Sequence, residues 1–582
     1  MARPVLALEP IVFGVTGGEK ALREALIDAS LVVDAREAGT EDPQEILSAA
    51  RSDYARFVGL LYERGYFAPV VSIRIDGREA AEISPLEVPA RADVVDIRIA
   101  VGPPYVFGRA SVAPLAPETE LPKDFATGQP ARTPVIAAAG RTAIRSWREA
   151  GFAKADVSGQ RIVADHADRR VDADLTVAAG PRVTFGRLNV SGNRDVSSAR
   201  IVEIAGLPTG EVFSPAAVDT VNANLRRTGT FRAVVLSEAD TVAPDGTMDM
   251  NLVVSESLPR RFGFGAEYST NDGLEVTGFW LHRNFLGGAE RLELNLDVTG
   301  ISASDRDIGV SFGARFTRPA TPDPRTDLFI LARLAQLEEI DYSGPRLVLG
   351  FGFQRRYSDR LTAEIAAALD LSQIDSAFGR NDYAMVELPA RVTYDARDDL
   401  LNPTSGYFVD ARVIPYAGFI DTVSGVQFLG DGRLYFGFGA EKDVVLAGRF
   451  QIGALAGPSL SQAPPFYLFY SGGSGTVRGQ PYQSLGVDLG DGLRSGGRSF
   501  LGSSLEVRGQ VTDNIQLVGF YDWGYIGADA FADGSGNTQS GAGIGVRYLT
   551  PIGPLRVDVG TPLAGPPTSA TALLYIGIGQ AF

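Results

Sequence analysis

The chain of 582 residues contains no cysteine. That absence excludes disulfide scaffolds, thiolate metal sites and cysteine nucleophiles together, and it leaves the redox compartment open. Histidine is nearly missing as well, with only His166 and His282. Hydrolytic chemistry that needs an imidazole beside a nucleophile or a water thus has two candidate positions, and neither belongs to a serine–acid constellation. His166 lies among Asp165 and Asp168 in a turn-like segment, and His282 stands beside Arg283 near a strand end. No enzyme, cofactor or metal site is expected. Positive charge is in deficit, with 54 Lys and Arg against 70 Asp and Glu and a formal net charge of −16. Such a balance argues against a nucleic-acid partner, which requires a basic surface to displace counterions. Long apolar runs are also lacking, so no helix of about 18 apolar residues can cross a bilayer. A transmembrane β-barrel remains open, because its strands carry a much weaker hydropathy signal. Residues 1–10 do not read as a secretory signal, since the apolar run is short and Glu9 interrupts it.

The first 260 residues alternate helix-like and strand-like segments and repeat internally. Ile46, Ala49, Ala50, Tyr54, Phe57, Val58 and Leu61 share one helical face, and the helix runs into Arg64-Gly65-Tyr66-Phe67 before a strand over 70–75. The same punctuation recurs at Gly151-Phe152, ahead of a strand over 157–163, and at Gly229-Thr230-Phe231, ahead of a strand over 233–237. In each copy a glycine closes the helix and an aromatic residue opens the extended segment. A second phrase marks the seams: Gly102-Pro103-Pro104-Tyr105-Val106-Phe107-Gly108 parallels Gly180-Pro181-Arg182-Val183-Thr184-Phe185-Gly186. Three small α/β modules are predicted over 1–103, 104–181 and 182–259.

From residue 260 onward period-two alternation takes over. Leu292, Leu294, Leu296 and Val298 alternate with Glu293, Asn295 and Asp297, and Phe262, Phe264, Ala266 and Tyr268 follow the same rhythm. A soluble sandwich alternates too, with its apolar face inward. The length decides for a barrel: roughly 10 residues per strand plus turns yields about 16 antiparallel strands over 260–582, an even number that closes and leaves no edges. Inside that half, Arg478 sits among glycines in Ser474-Gly475-Thr476-Val477-Arg478-Gly479-Gln480, and Asp522 stands on the strand-like Gly519-Phe520-Tyr521-Asp522-Trp523-Gly524. In a water-excluded lumen the two would form a bidentate, charge-assisted pair; the alternative is a loop arginine and a solvated strand aspartate.

Modules followed by a barrel with Val477-Arg478-Gly479 and Phe520, Asp522 and Gly524 resemble the outer-membrane assembly-factor superfamily that includes BamA and TamA. Further phrases fit the resemblance: Asn284-Phe285-Leu286-Gly287-Gly288; Tyr394-Asp395-Ala396-Arg397-Asp398-Asp399 followed by Asn402-Pro403-Thr404-Ser405-Gly406; Gly545-Val546-Arg547-Tyr548; and Thr550-Pro551-Ile552-Gly553-Pro554-Leu555-Arg556-Val557-Asp558. The resemblance implies POTRA modules in the periplasm, a 16-stranded outer-membrane barrel, and a loop folded into the lumen, where Arg478 meets Asp522. Gln480 stands where the superfamily places an aromatic residue, which removes one ring contact. Gly577 and Phe582 fit the glycine and final aromatic of a barrel-assembly signal, with Gln580 at a usually hydrophobic position.

Three modules resemble the TamA branch, which implies a TamB-like inner-membrane-anchored partner and unfolded outer-membrane or autotransporter clients. A BamA-type insertase, a two-partner secretion transporter and a passive porin are the alternatives. Segments 262–269 and 573–582 are then the two sides of a lateral gate, with Gly263, Gly265, Gly577 and Gly579 weakening the strands around Phe262, Phe264 and Tyr575. The alternative role for these glycines is to make room for bulky lumen residues.

Overall fold

The computed structural model describes residues 11–40, 42–84, 86, 91–270, 272–304, 306–420, 422–439, 442–551, 553–580 and 582. The stretch 1–10, read above for a signal, lies outside the described residues. None of the described helices is long and apolar enough to cross a membrane.

Three sheets with helices precede the barrel. In the first, Val12–Thr16 pairs in parallel with Val95–Ala100, which pairs antiparallel with Val70–Ile75. The helix Pro43–Arg64 lays Ile46, Ala50, Phe57 and Leu61 against Ile73, Ile97 and Ile99. Gly65 ends it in the left-handed region at φ 93°, where a side chain would be strained. Asp53 sits on the same buried face, which periodicity alone did not foretell. Its carboxylate accepts from the Ser30 hydroxyl (2.7 Å) and from the Leu31 and Val32 amides, and so caps the helix Leu31–Glu37 from outside.

The second sheet runs Val106–Ala113, Arg170–Ala178, Asp156–Asp165, with the helix Thr133–Glu149 packed on it. The third runs Thr184–Ser191, Thr247–Glu256, Phe231–Glu238, with helices Ser198–Ala205 and Pro215–Arg226. Gly102 and Gly180, both at positive φ, lie between successive sheets.

The chain divides into two compact units. One comprises residues up to Arg187 with Pro208–Val218 and Glu238–Met250. The other comprises Leu188–Leu207, Asp219–Ser237 and Asn251–Phe582, so it includes both helices' buried ends and the whole barrel. Within that second unit the core around Ile201, Ile204, Val221 and Leu225 reaches Ala289 of a barrel turn.

The barrel is closed and antiparallel. Its seventeen segments form sixteen staves, because Gly379–Glu387 and Ala390–Asp395 pair with the same two neighbours and are halves of one strand. The break falls at Leu388-Pro389, where proline offers no amide to a ladder. The alternation is inverted relative to a soluble sheet. On Leu555–Ala564, Leu555, Val557 and Val559 are exposed while Arg556 and Asp558 are buried; on Ser499–Thr512, Leu505 and Val507 are exposed while Glu506 and Arg508 are buried. Apolar residues outside and charges inside exclude the sandwich and mark a wall made for lipid.

Candidate functional site

The segment between strands Val444–Ala456 and Ser499–Thr512 folds into the lumen, and its tip is Val477-Arg478-Gly479. Arg478 is 2% exposed. Its Nε and Nη2 donate to the two oxygens of Asp522 at 2.8 and 3.0 Å, its Nη1 donates to Glu506 at 2.6 Å and Asp558 at 3.3 Å, and its own amide donates to Asp522. The guanidinium lies 3.7 Å from the centre of the Phe520 ring. The pairing expected from the sequence is therefore present, and two further carboxylates join it. Around them Arg508 donates to Glu506 at 2.8 Å, Arg547 pairs with Asp558, and Arg556 reaches Glu267 of the first strand at 2.5 Å. Four arginines thus face four carboxylates, Glu506, Asp522 and Asp558 buried and Glu267 partly exposed, so the charges balance.

Glycines make room for the tip. Gly479 adopts φ 91°, and a side chain there would meet the Thr561 carbonyl. A Cβ on Gly541 would lie 2.1 Å from the Arg478 carbonyl oxygen, and one on Gly560 would lie 2.8 Å from the Gly479 amide. A Cβ on Gly524 would sit 2.3 Å from Ser471 Oγ and 3.1 Å from Val477. Gln480, standing in place of an aromatic residue, donates its amide to the carbonyls of Ser540 and Ala564, both at 2.8 Å. A second anchor holds the loop further back: the Tyr467 hydroxyl donates to Glu387, and Arg346 stacks on Phe466 at 3.9 Å.

The seam lies between the first strand, Arg260–Ser269, and the last, Leu573–Ile578. Their ladder has two residue pairs, Tyr268 with Ile576 and Ser269 with Tyr575, extended by the Thr270 amide donating to the Leu574 carbonyl. By contrast, Arg260–Ser269 pairs with the second strand over its full length. Phe262 and Phe264 are exposed on the outer face. Gly263 and Gly265 belong to the inner face and clear space there, since a Cβ on Gly263 would strike the Phe279 ring.

Gly577 sits beside Arg556 and Glu267, and Gly579, at φ 105°, turns the chain out of the ladder. Phe582, matched above to the final aromatic of an assembly signal, lies inside the barrel. It is buried with Tyr435 and Ala447, 5.5 Å from the Arg508 guanidinium, while Gln580 accepts from Arg547 and donates to Asn402. Tyr575 joins the two halves of the site: it pairs with Ser269 at the seam, and its hydroxyl accepts from the Gly479 amide at 3.0 Å.

Glu506, Arg508, Arg547, Arg556, Asp558 and Tyr575's hydroxyl role escaped the sequence reading. The available signal was a charged residue at every second position of strands otherwise made of Leu and Val. His166 bonds to the Tyr105 hydroxyl and His282 accepts from the Asn284 amide. Among the described residues no group of acids and histidines could hold a metal ion.

Comparison with known proteins gives one reading for both parts. The Omp85 superfamily domain matches residues 261–582, and the POTRA family, described as surface antigen variable number repeat, matches residues 183–257. The outer membrane protein assembly factor BamA of Nitratidesulfovibrio vulgaris is 24% identical over 445 residues, covering 72% of this chain and 53% of its own length. The chain therefore spans about half the length of that relative. Among solved structures, BamA from Haemophilus ducreyi lacking POTRA domains 1–3 superposes with a TM-score of 0.65 at 18% identity, over 81% of this chain and 100% of that one. CdiB from Acinetobacter baumannii superposes with a TM-score of 0.53 at 14% identity, over 81% and 89%.

Proposed function

The chain belongs to the Omp85 superfamily, and from that premise we propose that it inserts unfolded outer-membrane β-barrel proteins into the bilayer through its seam. The single observation that carries the reading is the two-pair ladder between first and last strands, set against a full-length ladder on the other side of the first strand. Every unpaired backbone group of a strand entering lipid costs several kcal/mol. A strand edge held open inside the membrane supplies the missing partners, so the client exchanges water for a ladder without crossing an unpaired state. The buried cluster around Arg478 performs no chemistry. It pins the loop so that Tyr575, and with it the last strand, keeps a fixed position beside the opening.

Three sheet-and-helix modules ahead of the barrel favour a TamA-like member over a two-partner secretion transporter with two such modules. On this reading the clients include autotransporter-type barrels and the modules meet a TamB-like, inner-membrane-anchored partner. The resemblance to BamA favours a broader client range. A passive porin leaves the modules without a role.

The test uses the cysteine-free background. Tyr268→Cys and Ile576→Cys face each other across the seam, and oxidation in cells closes it covalently. Assembly of autotransporter-type barrels should stall and resume on reduction, with each single variant unaffected. Assembly that continues through the cross-linked seam sinks the insertion mechanism.

A further inference from the structure

The first residue of the first strand carries a positive charge that nothing in the protein answers. Arg260 is exposed, and among the described residues its side chain makes no hydrogen bond and no ion pair. Alternate positions of a strand share a face, so Arg260 stands on the outer side with Phe262 and Phe264, which are 62% and 84% exposed. Arg261 takes the inner side, over the Phe279 ring at 5.6 Å, and does not belong to this outer group. Opposite Arg260 in the ladder stands His282, and opposite Phe262 stands Trp280. Cross-strand partners project from one face with Cβ atoms about 5 Å apart, so the guanidinium and the imidazole are neighbours on the outer wall. The Asn284 amide donates to His282 Nδ1 at 3.3 Å, which leaves Nε2 protonated in the neutral ring as well as in the charged one. Trp280 and Phe285, each 5.9 Å from the imidazole centre, hold that ring in place.

Two donors beside a shelf of aromatic rings match the boundary of a bilayer. Tryptophan rings settle at headgroup level, and Trp280 with Phe262 forms the row next to Arg260 and His282 on the membrane side. Phosphate depth therefore falls at the donor pair, and acyl-chain depth begins at Phe262 and Phe264. Arg260 follows the third module directly, so this is the end of the wall that the modules join, which meets the periplasmic leaflet on the reading above. We propose that Arg260 and His282 bind the phosphate of an anionic phospholipid in that leaflet, with an acyl chain lying along Phe262, Phe264 and Trp280. A guanidinium without an acidic partner favours a phosphodiester whose charge stays uncancelled, as in phosphatidylglycerol. In phosphatidylcholine the lipid's own cation competes for the phosphate. The bound lipid then occupies the outer flank of the seam, beside the stretch 262–267 that the last strand leaves unpaired. The site requires only that the wall faces a bilayer, and so stands apart from the insertion of clients.

The experiment uses the full chain in phosphatidylcholine nanodiscs, with tryptophan fluorescence as the readout. Trp147→Phe and Trp523→Phe remove the other two tryptophans, so that Trp280 reports alone. Phosphatidylglycerol or phosphatidylcholine brominated on its acyl chains is then titrated in, and contact quenches Trp280. Brominated phosphatidylglycerol should reach half-quenching at a mole fraction at least about tenfold lower than brominated phosphatidylcholine. Arg260→Gln combined with His282→Gln should abolish that difference. Arg355→Gln should keep it, because Arg355, on the outer face of the sixth strand Tyr342–Arg356, already pairs with Asp323 at 2.6 Å. Equal quenching by the two lipids overturns the proposal, and that comparison needs no variant at the site. A preference that survives the double variant places the lipid elsewhere and overturns the assignment to Arg260 and His282. A preference that Arg355→Gln removes as well reduces it to diffuse charge around the rim and overturns the site too. Client insertion is read separately through the Tyr268→Cys and Ile576→Cys pair, so failure of the lipid site leaves that reading standing.

Discussion

At the scale of single residues, Arg478 is the member of the lumen cluster with most to lose. It alone touches Asp522, Glu506 and Asp558, so its removal leaves three buried carboxylates facing three arginines that are already engaged. Breaking one partner out of a buried ion pair costs about 3–5 kcal/mol, and Arg478→Ala should lower barrel stability by that order. Arg478→Lys should recover only part, because an ammonium cannot span both Asp522 oxygens. Asp522→Asn should cost less than Arg478→Ala, since Arg478 keeps Glu506. The temperature at which the folded barrel loses its compact mobility in a gel ranks the three, and equal values for Arg478→Ala and the unmodified chain would contradict the account. The pair itself was legible in the sequence through the glycine-bounded Val-Arg-Gly tip and the lone acid of its partner strand. Glu506 and Asp558 were not, because nothing local to Leu505-Glu506-Val507 or Val557-Asp558-Val559 distinguishes a lumen charge from a solvated one. Only closure of the wall brings residues 28 and 80 positions from Arg478 onto it.

At the scale of elements, the last strand is where periodicity misled. Tyr575, Gly577 and Gly579 read as one face of a strand that continues to Phe582, yet the strand ends at Ile578 and Gly579 turns the chain inward. The reason lies off the strand, in the receptors for its tail: Arg508 and Tyr435 for Phe582, Arg547 and Asn402 for Gln580. No pattern within ten residues reveals partners on four other segments. The helix ends, by contrast, were legible, since Gly65, Gly151 and Gly229 each carry a positive φ that favours glycine. Tyr575 is the element-level lever. Tyr575→Phe keeps the ring and removes the acceptor of the buried Gly479 amide, at a cost of about 1–3 kcal/mol. Amide exchange at 477–480 should quicken, and so should exchange at Ser269 and Thr270 across the seam. Faster exchange at the loop alone would show that loop and seam are uncoupled.

At the scale of the whole molecule, part of the third module, Leu188–Leu207 with Asp219–Ser237, shares one compact unit with the barrel, and the joint is polar as well as apolar. Arg227, at the end of the helix Pro215–Arg226, donates to Asp327 at 2.6 Å and to the Pro324 carbonyl. Arg200 donates to the Pro319 carbonyl at 2.7 Å, and the Ser197 amide donates to the Gly287 carbonyl. The barrel segments that receive them lie at two turns between consecutive strands, one joining the second and third strands and one joining the fourth and fifth. A sequence shows the module and the turns separately and gives no hint that they lock, because Arg227 and Asp327 stand 100 positions apart. Arg227→Ala should leave the barrel closed but let the module unfold on its own. Heating should then give two transitions where the unmodified unit gives one, and protease should cut at Ser257-Leu258-Pro259 before the barrel melts. Removing residues up to 181 should leave the single transition in place, since the elements that form the joint lie beyond that point. If Arg227→Ala still melts in one step with the barrel, the apolar contact around Ala289 suffices, and the arginine is not what couples module to wall.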